Sequence, residues 1–170
     1  MPANPNWARW IFASAAHYLK TIASDNQLPC IIEGLDDRTD AYMQNTDRAE
    51  VRINGPYIQE ISNGYFRVWA DINVLLTSRM DESKGGYAIQ RFAGIMQAAM
   101  SDQIAIWNYG DQPGDFDEDV PETQIHIGCL SPRSGPQESI KVLHFGQVEK
   151  SDRVKQAAID ARYAMYLDAN

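Results

Sequence analysis

From Phe66 to Leu76 every even-numbered position is apolar (Phe66, Val68, Ala70, Ile72, Val74, Leu76), while the odd set Tyr65, Arg67, Trp69, Asp71, Asn73 and Thr77 is mixed. A period of two predicts one strand of about fourteen residues, against the ~5–6 that strands usually reach. The even face belongs to a core. The odd face sets Tyr65 and Trp69 among charges, which is neither a plain solvent face nor a second core and suits contact with another chain. Asn63-Gly64 supplies a tight hairpin turn before it. Upstream, "RAEVRIN" (48–54) alternates with Ala49, Val51 and Ile53 on one side. Gly55 and Pro56 interrupt it, and "YIQEIS" (57–62) resumes an extended pattern.

Helical spacing dominates residues 4–25. Asn4 can cap, Pro5 suits the first helical position, and Trp7, Trp10, Ile11, Ala15, Tyr18, Leu19 and Ile22 form one apolar stripe. A stripe of this kind packs a core rather than cradling a ligand. A short strand from Cys30 to Glu33 leads into a polar loop over 34–47. A second helix carries Ala88, Phe92, Ile95, Met96, Ala99 and Met100 on one side and is expected on the even face of the long strand. Then come a strand in "QIAIWNYG", an acidic loop "DQPGDFDEDVPE", and strands in "TQIHIGCLS" and "SIKVLHFGQV". Ser151 is expected to cap a C-terminal helix containing Val154, Ala158, Ala161 and Met165. The expected fold is α+β: a twisted, mainly antiparallel sheet with a long central hairpin strand and helices packed on one face. Residues 1–170 form one domain, with 1–148 as its core and 149–170 as a C-terminal helix available for docking.

Composition narrows the function. The 170 residues carry 15 Lys and Arg against 23 Asp and Glu, a net charge of -8. Phosphate backbones need concentrated cations, so tight nucleic-acid binding is not expected, although an acidic surface can line a passage through which DNA slides. Cys30 and Cys129 each sit in an apolar strand-like run and read as two buried free thiols. The N-terminal segment lacks the pattern of a secretory signal, and no stretch reaches the ~18 apolar residues of a membrane helix. The chain therefore reads as soluble and made in the cytoplasm.

Catalytic chemistry is hard to find. Cys129 and His126 are the tempting nucleophile and base, but an offset of three in a regular strand puts them on opposite faces. His17, His126 and His144 have no ligand pattern around them. Phosphate-loop, dinucleotide and nucleophile-elbow motifs do not occur. Asp115, Asp117 and Asp119 alternate like the first ligands of a calcium loop, yet the glycine and closing glutamate of that loop are missing, so a solvated acidic loop is expected. The sequence asks for no cofactor and no metal, and an enzyme is not expected.

The run "RAEVRINGPYIQEISNGYFRVWADINVLL", with a leading amphipathic helix and the following helix "GYAIQRFAGIMQAAM", resembles the tail-terminator and neck proteins of tailed bacteriophages. The resemblance covers roughly residues 5 to 150, chiefly as an order of elements, and leaves the C-terminal segment from about residue 149 unmatched. It implies a virion protein, made in the host cytoplasm, that forms a homo-oligomeric ring, usually a hexamer, at the head-tail junction. Such a ring ends the tail tube, joins it to neck or connector proteins, and passes DNA through its channel without specific binding and without contact with a membrane. On that reading Tyr65, Arg67, Trp69 and Asp71 meet a neighbouring subunit, and Asp115, Asp117, Glu118 and Asp119 face the lumen or a partner. Two alternatives remain open. One is another neck component, such as a connector adaptor or head-completion protein; the other is a small-molecule-binding protein or enzyme with a pocket between the first helix and the sheet.

Overall fold

A computed structural model describes residues 3–36, 47–79, 87–110, 125–133, 140–147 and 154–168. The elements are α1 (Trp7–Asp25), β1 (Cys30–Ile32), β2 (Asp47–Ser62), β3 (Tyr65–Arg79), α2 (Ala88–Ser101), β4 (Ile104–Asn108), β5 (Ile125–Pro132), β6 (Lys141–Gln147) and β7 (Val154–Asp168). All seven strands join one curled sheet in the order β1-β2-β3-β7-β5-β4, with β6 also on β7. Only β1 and β2 run parallel; the other pairs are antiparallel. The chain is thus α+β, with helices on one face of a mostly antiparallel sheet.

The alternation that predicted β3 holds from Tyr65 to Leu76 and ends there, since Thr77 and Ser78 are both buried. Phe66, Val68, Ala70, Ile72, Val74 and Leu76 are all buried. The interruption at Gly55 and Pro56 does not end the preceding strand. β2 runs straight through it with a register shift between Asn54 and Tyr57, and Gly55 takes a φ of 105° that a β-carbon would strain.

The largest departure from the sequence reading lies at the C-terminus. Residues 154–168 are not a helix but a strand of 15 residues, and it pairs with β3 from Tyr65↔Asp168 to Arg79↔Val154. Its odd positions Ala157, Ile159, Ala161, Tyr163, Met165 and Leu167 are buried under the helices. A period of two is therefore present, but Val154, Ala158, Ala161 and Met165 satisfy a helical spacing as well. This strand is central: its second edge is shared by β6 along 155–160 and by β5 at 163–164. A smaller correction concerns α1, which begins at Trp7; Asn4 Oδ1 accepts the Asn6 N–H at 2.9 Å, and Pro5 stays in the turn before the helix.

Two tyrosines lock the layers together. The last carbonyls of a helix lack partners within it. In α2 the Ala99 carbonyl accepts from the Tyr18 hydroxyl of α1 at 3.0 Å, and the Met100 carbonyl from the Tyr163 hydroxyl of β7 at 2.6 Å. The N-terminal half of α1 is tied to β4, where the Trp107 N–H donates to Ser14 Oγ at 3.0 Å, and to Gly110, whose carbonyl accepts from Trp10 Nε1 at 3.0 Å.

Burial pushes the Cys30 thiol up to about 12, with Asp36 adding to the rise and Lys20 opposing it. Burial likewise raises Tyr163 and Tyr18 above the usual tyrosine value. In each case the folded state favours the protonated form. The Cys30 contribution is complete below the unfolded thiol's 9.0 and is lost as pH climbs from there through about 12. The denaturant midpoint is expected to be flat near neutrality and to fall from about pH 9 upward. Cys30→Ala should flatten the start of that fall, and an unchanged profile would remove Cys30 as its cause.

Candidate assembly surface

Both described helices lie on the face of the odd β7 positions, and no described element packs on the other face of the sheet. The strand registers lay out that outer face in rows. One row runs Ile31, Glu50, Leu75, Ala158, Leu143, and the next Arg52, Asn73, Asp160, Lys141. Beyond these come Asn54, Asp71, Arg162, then Tyr57, Trp69, Ala164, then Gln59, Arg67, Tyr166.

The middle of the face is polar and internally connected. Asn54 Nδ2 donates to Asn73 Oδ1 at 2.9 Å, and Asn73 Nδ2 to Asp160 Oδ1 at 2.7 Å. Arg162 grips Asp71 with two bonds, 2.6 and 3.1 Å, and Arg52 grips Glu33 with 2.5 and 3.0 Å. These pairs are exposed, so each adds little to the stability of the subunit. They do fix the orientation of the side chains.

Toward the hairpin end the face turns aromatic. Tyr57 stacks on Trp69 with centroids 5.6 Å apart, Tyr65 on Tyr166 at 5.7 Å and 2° between planes, and the Arg67 guanidinium lies 5.9 Å from the Trp69 ring. Arg67 Nε is shielded from water without a hydrogen-bond partner, a cost that the π face of Trp69 partly offsets. Tyr57, Tyr65 and Tyr166 are exposed large rings, and the apolar side chains of Leu143 and Phe145 on β6 are exposed as well. A contiguous group of rings around one arginine is the composition of an interface core.

The four residues proposed from the sequence, Tyr65, Arg67, Trp69 and Asp71, all fall on this face. The acidic loop with Asp115, Asp117, Glu118 and Asp119 lies outside the described residues. Sequence reasoning misses Asp160, Arg162 and Tyr166, because the helical spacing of 154–165 competes with the strand period, and it misses Tyr57, whose place opposite Trp69 depends on the register shift at Asn54. The signal that could have found the first three is the apolar run at odd positions 157–167.

Shallow hollows accompany the surface. One of about 460 Å³ lies at the end of α1, among Lys20, Ser24, Gln27, Leu28, Pro29 and Cys30. One of about 250 Å³ on the outer face is lined by Ile31, Glu50, Arg52, Asn73 and Leu75. Their charged groups are engaged with other side chains: Lys20 bonds Asp36 at 2.6 Å, and Arg52 holds Glu33. That is unlike a ligand site with convergent polar groups. Among the described residues no three His, Cys, Asp or Glu side chains are grouped to hold a metal, and no helix is long and apolar enough to cross a membrane.

No protein-family model matches the chain, and no curated protein matches it. Among solved structures, one whose name states no activity superposes with a TM-score of 0.50 at 13% identity, covering 92% of this chain and 93% of its own. A likeness at this identity shows a shared fold and nothing of activity.

Proposed function

We propose that the chain is a virion structural protein of a tailed phage, one subunit of a ring at the head-tail junction that ends the tail tube and joins it to the neck. The observation that carries this reading is the outer sheet face: its aromatic group of Tyr57, Tyr65, Trp69 and Tyr166 around Arg67 has no described cover. It is combined with the resemblance of residues 5 to 150 to tail-terminator and neck proteins. The face gives a subunit the means to join copies of itself, with Arg162 and Asp71 fixing register at its centre. The ring is a hexamer in this reading, its neighbours are tail-tube and connector proteins, and DNA crosses it without being held, which a net charge of -8 favours. No catalytic step and no cofactor enter the role.

The test is genetic. Deleting the gene from the phage or prophage that carries it should leave heads unjoined and tails of uncontrolled length in negative-stain images. Normal joined particles that lack the protein would contradict the proposal. Joined heads missing only a neck layer would favour a connector adaptor or head-completion protein instead.

A further inference from the structure

Two residues that strand spacing sets apart are brought together by an irregularity in β5. Against β4, Gly128 pairs with Ile106 and His126 with Trp107, so Ile127 is an extra residue, the mark of a β-bulge. The expectation that His126 and Cys129 point to opposite faces fails for this reason. Gly128 makes the bulge feasible: its φ is 155°, and a β-carbon there would lie 2.7 Å from Met165 Cε. His126 Nε2 then sits 3.3 Å from Cys129 Sγ on an exposed stretch. The Trp107 ring, edge-on to the imidazole at 5.2 Å, walls its other side.

Cys129 is also not the buried thiol the sequence reading expected; it is half-buried and free, whereas Cys30 is buried. The chain thus presents one addressable thiol, and a base stands beside it. That is the arrangement that activates cysteine, provided the imidazole proton sits on Nδ1 so that Nε2 accepts.

We propose that Cys129 and His126 form a reactive-thiol site that takes small disulfides. His126 Nε2 takes the thiol proton, and the sulfur attacks one sulfur of the disulfide. A bond from Cys129 to that sulfur forms as the original S–S bond breaks, the departing thiolate carries off the electron pair, and His126 returns the proton to it. One thiol is consumed and one released, so no further oxidant is needed.

An ordinary thiol is only a few per cent ionised near neutral pH. A neighbouring base that takes the proton as the sulfur attacks speeds the exchange, with an expected gain of about tenfold over an unassisted thiol. The test measures release of coloured thiolate from the aromatic disulfide dithiobis-nitrobenzoate by the native chain and, per thiol, by the same chain in denaturant. The native chain should react at one thiol, about tenfold faster than the denatured reference. Cys129→Ser should abolish the native reaction, and His126→Gln should slow it to the denatured rate without moving the unfolding midpoint. A native rate no higher than the denatured one, an unchanged rate in His126→Gln, or a native reaction surviving in Cys129→Ser would overturn the proposal. If His126→Gln does not fold, the native-to-denatured ratio decides alone.

Discussion

A chain cut after Val148 is expected not to fold. The sequence reading treats 1–148 as a complete core, whereas in the structure the cut removes β7, which pairs with β3 over its whole length and carries β6 and the end of β5 on its other edge. Ile159, Met165 and Leu167 are buried, and at ~1.5–3 kcal/mol each their loss removes roughly 5–9 kcal/mol before Tyr163 is counted. Tyr163 adds its own ring and the bond that closes the end of α2. Domains have only ~5–15 kcal/mol of stability in total. The truncated chain should show no cooperative unfolding by circular dichroism and should aggregate, because β3 would be left as a long unpaired edge. A cooperative transition near that of the full chain would mean that β7 is dispensable. Tyr163→Phe isolates one component: it keeps the ring, leaves the Met100 carbonyl unpaired, and should cost about 1–2 kcal/mol in the same measurement.

The second large effect is at Trp69. Replacing it with glutamate should break self-association while leaving a folded subunit. Within the subunit Trp69 is partly exposed, and what is lost is its stack on Tyr57 and the contact of Arg67, together worth about 1–2 kcal/mol. At an interface a central tryptophan typically contributes 2 kcal/mol or more, at least about thirtyfold in affinity at each contact, and a glutamate must also be desolvated there. The variant should thus keep its circular dichroism and a near-normal unfolding midpoint, and lose mass. Unfolding of the subunit would place Trp69 in the core; unaltered mass would take it out of the interface.

The sequence disclosed the core more readily than the surface. The strict alternation of 66–76 and the stripes of α1 and α2 predicted which residues are buried, because burial of apolar side chains imposes a period that local sequence carries. β7 was misread because alanine suits both periods: Ala158, Ala161 and Met165 fit a helix, and the strand pattern emerges only when Ile159, Tyr163 and Leu167 are weighed against Asp160 and Arg162 between them. The β7 share of the outer face, Asp160, Arg162 and Tyr166 among it, is hidden with it. The ladder from Asn54 through Asn73 to Asp160 is made by strands far apart in sequence, and its register depends on a shift at Gly55 and Pro56. His126 and Cys129 show the same limit in miniature: one extra residue at Ile127 reverses the face on which a side chain appears.

The central claim, that the outer face of the sheet joins copies of this chain, is tested most directly by the mass of the unmodified protein in solution, measured by light scattering across a dilution series. The account predicts a species near six times the 19.1 kDa subunit that gives way to smaller ones on dilution. A mass of one subunit at every concentration would contradict it.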